Sequence, residues 1–294
     1  MHIAIHNWMR AEPIEKTVAR ISSQGYDALE IQGTPEAYDT KYVRQLLKDN
    51  NLSCWGSVTL MLEERNLLAR DEGQRARSIQ YVKDIITMVK ELDGHMVSVV
   101  PGTVGKITPD GRPEEEWQWG VEALKECYDF SEKAGVLIGI EPINRFETYF
   151  VNRADQALAL AKEVGPNCGV CLDIFHMNLE ENDYYAAIRR AKDRLVGFHV
   201  ADNNRMAPGM GRFDWPKLIT TLREVGYDGA LSVEFCPPLD RTPANPYPNS
   251  IDEQPEGLTP EQLKFLEDHG SSAFTEAFYS MLTQQSIDVL KPLI

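Results

Sequence analysis

Residues 136–141 read VLIGIE, and similar short apolar runs recur as GVCLD at 169–173, VGFHV at 196–200 and ALSVE at 230–234. Each run is rich in Val, Ile, Leu or Ala and largely lacks alternation of polar and apolar positions. Strands of this kind are buried on both faces, as in a parallel sheet that is covered by helices. This half of the chain therefore predicts repeated β/α units.

The same rhythm extends through the N-terminal half, where further strands are predicted at 2–6, 28–32, 53–59 and 96–101. Amphipathic helical patterns lie between and after the strands, at 13–24, 39–50, 78–92, 114–134, 154–164, 184–192, 214–225 and 259–290. Eight β/α alternations without a break in composition predict an α/β protein with one TIM (β/α)8 barrel domain over residues 1–294. A doubly wound open sheet is the alternative.

Composition narrows the class of partner. The chain has 294 residues, 43% of them hydrophobic, and a formal net charge of −15. Such a negative field repels a phosphate backbone, so we expect no nucleic-acid partner and favour a neutral small-molecule substrate. Apolar runs fall far short of the roughly 20 residues that span a bilayer, and the N-terminus lacks a signal-peptide pattern. We therefore expect a cytoplasmic enzyme without a membrane partner.

Two segments are longer than ordinary connections. Residues 102–114 are rich in Gly, Pro and charge, and residues 236–257 form an insert with six prolines after the eighth strand. In a TIM barrel both segments follow the carboxyl end of a strand, where active sites lie. They are candidate lids or partner surfaces.

Polar side chains at the ends of four successive strands carry the functional signal: Glu141, Asp173, His199 and Glu234. A carboxylate within an apolar run is costly unless it is paired or binds a metal ion. Three carboxylates and one imidazole, without a thiolate, favour a fairly hard cation with open positions, such as Mn²⁺, Mg²⁺ or Co²⁺. Such an ion can chelate a sugar carbonyl and its neighbouring hydroxyl and stabilise enediolate charge after proton removal.

Further candidate substrate contacts lie close to these positions. Glu147, His176 and Arg205 fall in the loops just after strands. Arg205 can hold substrate oxygens and His176 can donate a hydrogen bond to a carbonyl oxygen, although each is alternatively a surface or capping residue. His6 and Trp8 end the first strand, where aromatic rings pack against sugar faces or simply against the core.

Four motifs together resemble the D-tagatose 3-epimerase family of ketose 3-epimerases, in the xylose isomerase-like sugar isomerase/epimerase superfamily. The motifs are IEPINRFE (140–147), CLDIFHMNLEE (171–181), FHVADNNRMAPGMGRFDW (198–215) and GYDGALSVEF (226–235). The clear match covers about residues 136–234, and the N-terminal half matches mainly in its β/α pattern.

The resemblance implies a xylose isomerase-like barrel with one divalent ion, foremost Mn²⁺, held by Glu141, Asp173, His199 and Glu234. It also implies that Glu141 and Glu234 face opposite sides of a free ketose. One removes the C3 proton and the other returns a proton on the opposite face through an enediolate. Glu147, His176 and Arg205 would hold O1 and O2, and the family analogy suggests a homodimer or homotetramer.

The chain departs from the family pattern in two places. The insert at 236–257 is longer and richer in proline than a simple ketose epimerase requires, and the first strand ends in HNW. The superfamily also contains inosose dehydratases and the catalytic subunits of C-glycoside deglycosidases, which work with a small second subunit. A lyase acting on a 3-oxo-glycoside or an inosose is therefore the alternative function.

Overall fold

The computed structural model describes residues 1–252 and 273–294. Eight parallel strands pair in chain order and close into a barrel, because β8 pairs with β1. The strands are β1 His2–His6, β2 Ala28–Gln32, β3 Ser53–Val58, β4 Met96–Val99, β5 Leu137–Ile140, β6 Gly169–Asp173, β7 Leu195–Val200 and β8 Ala230–Val233. The predicted TIM barrel is confirmed, and the open-sheet alternative is wrong.

Helices follow the strands and cover the outside of the barrel. They are α1 Ile14–Gln24, α2 Thr40–Asp49, α3 Glu72–Glu91, α4 Pro113–Ala134, α5 Ala154–Val164, α6 Ile174–Glu180, α7 Tyr184–Ala191, α8 Trp215–Glu224 and α9 Glu276–Leu290. Aspartate side chains cap the N-termini of α2, α3, α7 and α8. Within residues 1–252 and 273–294, no helix is both long and apolar enough to cross a membrane.

The helices differ from the predicted pattern in two places. Helix α3 begins six residues before the predicted start at residue 78, because the Asp71 side chain accepts a hydrogen bond from Gln74 N (2.7 Å) and caps the helix there. Helix α6 is not predicted at all. It follows β6 directly, with Asp173 serving as both the last strand residue and the N-cap.

The C-terminal predictions are only partly described by the structure. Helix α9 lies within the predicted helical stretch 259–290, of which residues 259–272 lie outside the described residues. Of the Pro-rich insert, residues 236–252 are described as irregular chain with one bridge from Ile251 to Phe274. Residues 253–257 are outside the described part, and the assignment of 1–294 to a single domain stays a prediction.

The barrel interior changes from apolar to polar along its axis. A separate buried apolar cluster inside the barrel consists of Ala4, Ala28, Trp55, Met96, Cys171 and Ala230. Because side chains alternate across a strand, the next inward positions along β1 and β2 are His6 and Glu30, which are neighbours in register. The remaining apolar strand residues face the helices and form the main core. Ionisable side chains are thus directed to the carboxyl end of the barrel.

Candidate active site

Three buried carboxylates stand at the carboxyl ends of β5, β6 and β8. Glu141, Asp173 and Glu234 are each at most 4% exposed. Ser98 Oγ donates to Glu141 Oε2 (2.6 Å), and Phe175 N donates to Asp173 Oδ1 (2.8 Å). One oxygen on each of these two carboxylates is therefore fixed, which holds the group in one orientation.

His199 on β7 lies between two of these carboxylates. Its Nδ1 is 3.1 Å from Glu141 Oε1 and 3.2 Å from Glu234 Oε2. Asp173 pairs with His199 in the β6–β7 register, and its Oδ2 is buried without a hydrogen-bond partner. An unsatisfied carboxylate oxygen beside two further carboxylates and an imidazole is suited to a cation.

The described residues contain three groups of side chains whose ligand atoms lie within 4.8 Å of one another. The groups share members: Glu141 and His199 each occur in two of them, and Asp173 and Glu234 each occur in one. Cys171, His6 and His176 complete the three groups. All four predicted metal ligands are thus gathered in one buried region, and their donor set fits a divalent ion.

Burial and neighbouring charge perturb the acid–base behaviour of these groups. Burial, with a smaller contribution from the carboxylates of Glu234 and Glu141, raises the pKa of Asp173 to about 8 against the opposing effect of Arg205. Burial also disfavours the ionised form of Glu234, but nearby His6 and His199 hold its pKa well below the usual range. The two carboxylates therefore carry unequal proton affinities in the metal-free protein.

Two of the predicted substrate contacts, His176 and Glu147, are joined through Asn144. Asn144 N donates to His176 Nδ1 (3.2 Å), and Asn144 Nδ2 donates to Glu147 Oε1 (2.7 Å). At the other ring nitrogen, Nε2 of His176 lies 3.3 Å from Nη1 of Arg205, a group that can only donate. Burial, followed by the charge of Arg205, lowers the pKa of His176 well below 6.5, so this histidine is neutral.

Arg205 is held by a loop that the sequence did not reveal. Its backbone has a positive φ of 58°, its Nη1 is 3.6 Å from Asp173 Oδ2, and its guanidinium stacks over Phe175 at 4.4 Å. The loop is organised by fully buried Asp202, which accepts from the backbone of Gly209 (2.9 Å) and from Trp215 Nε1 (3.1 Å). Asp202 therefore fixes the position from which Arg205 reaches the site.

Replacing Asp202 by Ala is expected to lower the free energy of unfolding by about 3 kcal/mol, because several N–H donors lose their shared acceptor. Urea denaturation measures this loss. The matched control is Asp193→Ala, whose side chain is 88% exposed and whose effect should stay within about 0.5 kcal/mol. An Asp202→Ala variant as stable as this control would contradict the organising role.

His6 and Trp8, which the sequence placed together near the substrate, have different surroundings from each other. Trp8 lines the cavity, and its Nε1 also donates to Glu234 Oε1 (2.9 Å). His6 is fully buried, is not among the residues that line the cavity, and packs edge-on against His199 with ring centroids 4.6 Å apart. Trp8 thus has access to a ligand, whereas His6 contacts the ionisable cluster.

The cavity above the cluster has one charged and one apolar side. Glu141, Glu147, His176, Arg205 and Glu234 line it together with Trp8, and the opposite wall comes from β3, β4 and their loops, including Val58, Leu60, Met61, Leu62 and Val100. A second cavity shares Trp8, Leu62, Val104, Glu147 and Arg205 and extends outward to Lys106 and Asp110. Polar groups for binding and proton transfer are therefore concentrated on one side of a pocket that opens outward.

Three residues that contribute to this arrangement were missed by sequence reasoning: Glu30, Asn144 and Asp202. Glu30 lies within the apolar run ALEIQ and is fully buried. It carried the same signal as the predicted ligands, a charge within a buried strand, but it lies before the strand end. Asn144 and Asp202 act through backbone hydrogen bonds, for which the sequence offers no periodic signal.

This fold and cluster define a TIM-barrel enzyme with a buried carboxylate–imidazole site. The family model for the xylose isomerase-like TIM barrel matches residues 18–269. The chain belongs to this family, which confirms the fold family expected from the sequence.

Relatives of this chain include ketose 3-epimerases. A D-psicose 3-epimerase from Agrobacterium fabrum is 30% identical over 224 residues, covering 74% of this chain and 77% of that protein. An L-ribulose 3-epimerase from Mesorhizobium japonicum is 27% identical, with 75% of each chain covered. The expected class of sugar epimerase is thus confirmed.

A solved structure supports the fold independently. The D-psicose 3-epimerase from Clostridium cellulolyticum H10, crystallised with D-tagatose, superposes with a TM-score of 0.81 at 24% identity. The superposition covers 100% of this chain and 99% of that chain. The two proteins therefore share the barrel fold.

Proposed function

We propose that the chain catalyses C3 epimerisation of a free ketose with the help of one divalent metal ion. The observation that carries this proposal is the placement of His199 Nδ1 within 3.2 Å of carboxylates from β5 and β8, Glu141 and Glu234. These strands lie three positions apart around the barrel, so the two carboxylates approach the cavity from different directions. Two separated bases are what inversion at one carbon needs.

Glu141, Asp173, His199 and Glu234 would hold the ion, and Mn²⁺ fits this oxygen-rich set best, with Mg²⁺ or Co²⁺ as alternatives. A bound divalent ion supplies Lewis-acid stabilisation of negative charge on the substrate oxygens. The unsatisfied Oδ2 of Asp173 supports this assignment. Mn²⁺ is the ion with which activity should be tested first.

In the proposed reaction one of Glu141 and Glu234 removes the proton from C3, and the other delivers a proton to the opposite face of the resulting enediolate. Neutral His176 forms a hydrogen bond with a substrate oxygen. Arg205, whose pKa is raised by Asp173 although burial opposes it, remains cationic beside the developing charge. Glu147, oriented by Asn144, accepts from a substrate hydroxyl.

Other expectations belong to the same proposal. Trp8 contacts the sugar through its ring. His6 lies inside the barrel against His199 and does not touch the substrate. We propose a cytoplasmic homodimer or homotetramer. A small second subunit would accompany the alternative function, a lyase of 3-oxo-glycosides or inososes, which the names of the relatives do not favour.

The test is conversion of D-fructose, D-tagatose and L-ribulose by the Mn²⁺-loaded protein, beside EDTA-treated protein and a Glu141→Gln variant. Epimer formation that is lost in both controls supports the proposal. If protein that binds Mn²⁺ converts none of the three, free ketoses are the wrong substrates. The same protein should then be tested on 3-oxo-glycosides and inososes.

A further inference from the structure

We propose that Glu30 is a positioning residue that orients His199 for metal binding and fixes which ring nitrogen carries the proton. This inference rests on the proposed metal site. Glu30 lies on β2 and is fully buried, on a strand that supplies none of the four proposed ligands. A buried carboxylate is costly unless its oxygens are hydrogen-bonded or paired, so its surroundings identify its role.

Both oxygens of Glu30 have specific partners. Oε1 is 3.3 Å from His199 Nε2, whereas Oε2 accepts a hydrogen bond from Ser232 Oγ on β8 and lies 3.7 Å from Nε2 of His6. Ser232 is the register neighbour of His199 on the adjoining strand. The bond from Ser232 therefore holds Oε2 of Glu30, and Oε1 faces the imidazole of His199.

The two nitrogens of His199 face different groups. Nδ1 faces Glu141 and Glu234, while Nε2 faces Glu30 and, also at 3.3 Å, the Sγ of Cys171. An imidazole that binds a cation through Nδ1 carries its proton on Nε2 and needs an acceptor there. A carboxylate is a much stronger acceptor than a thiol, so Glu30 is the partner that fixes this tautomer.

Ser232, Glu30 and His199 form a chain of contacts from three different strands, in which Glu30 would stand behind the imidazole that holds the metal ion. A carboxylate behind a ligating imidazole fixes the ring orientation and increases the basicity of the coordinating nitrogen. Glu30 is not among the residues that line the cavity, so it does not contact the substrate directly. Its removal should weaken metal binding first and affect the reaction only through the metal.

The decisive variants are Glu30→Gln and Glu30→Leu, with Mn²⁺ affinity measured by electron paramagnetic resonance of the free ion. We expect Kd to rise about 10-fold for Gln, which keeps an acceptor oxygen, and about 100-fold for Leu, which keeps none. Excess Mn²⁺ should restore most of kcat. The matched control is Glu116→Gln, the same change at a buried carboxylate bonded to Tyr149 outside the site.

A wild-type Kd for Mn²⁺ in either folded Glu30 variant would overturn the proposal. If the Leu variant does not fold, the comparison of Glu30→Gln with Glu116→Gln decides, because both lose one buried charge and only the first should lose metal affinity. The affinity is measured without turnover. If wild-type protein binds Mn²⁺ but does not epimerise ketoses, the proposed reaction is contradicted. The role of Glu30 in metal binding is still decided by the Mn²⁺ affinities of the variants.

Discussion

Glu141→Gln and Glu234→Gln should each lower kcat for epimerisation by about 10³-fold, within the range of 10² to 10⁴ that a positioned acid or base contributes. Each substitution keeps the shape of the side chain but removes the group that accepts or returns the C3 proton. The measurement is kcat at saturating Mn²⁺, with Mn²⁺ content determined on the same samples. Activity within about threefold of wild type in either variant would exclude that residue as an acid or base.

A two-base mechanism also predicts how the variants differ from each other. Each should still exchange the C3 hydrogen of one epimer with solvent through the remaining carboxylate, without inversion, and the two variants should act on opposite epimers. Proton NMR in D₂O follows this exchange. Loss of exchange for both epimers in both variants would show instead that the substitutions act through metal loss.

Removing the divalent ion should abolish turnover while leaving the barrel folded. In the metal-free protein Glu141, Asp173 and Glu234 lie together in a buried region, where His199 and Arg205 offset part of their mutual repulsion and a bound cation would offset more. Dialysis against EDTA followed by Mn²⁺ should restore activity. At 100 times its Kd, the ion should add about 2.7 kcal/mol to the free energy of unfolding. Full activity in protein shown to be metal-free would contradict the metal role.

The same region predicts the pH dependence of the metal-free protein. Burial raises the pKa of Asp173 to about 8, above its value in the unfolded chain. The contribution of Asp173 to the free energy of unfolding is therefore greatest below about pH 3.9, the pKa of aspartate in an unfolded chain. It is lost progressively as the pH rises towards 8. Because the ion needs an ionised ligand, Mn²⁺ affinity should increase over the same interval. An Asp173→Asn variant should lack this component of both dependences.

The sequence predicted the barrel well because its strand signal is local. Strands β1, β2 and β6 begin and end where expected, since each is a short apolar run whose chemistry changes sharply at its ends. The same logic placed Glu141, Asp173, His199 and Glu234 at one end of the barrel. Because the sheet closes into a barrel, these four side chains then lie close together at that end.

The supporting contacts were not predictable in the same way. Asn144 donates its own backbone N–H to the His176 ring, and Asp202 accepts from the backbone N–H of Gly209. Both contacts lie in irregular loops and depend on the path of the chain. Helix α6 was missed because it starts on the last residue of β6 and leaves no connecting turn to mark it. His6 was expected near the substrate because it ends β1, but the inward face of that strand leads into the barrel interior.

The central claim is that inversion at C3 occurs through proton exchange with solvent. The most direct test is to incubate the Mn²⁺-loaded protein with D-fructose, D-tagatose or L-ribulose in D₂O and to locate deuterium in the product by NMR. We expect a 3-epimer with deuterium at C3 and an unlabelled C1. A converted product with hydrogen retained at C3, or with deuterium at C1 alone, would contradict it.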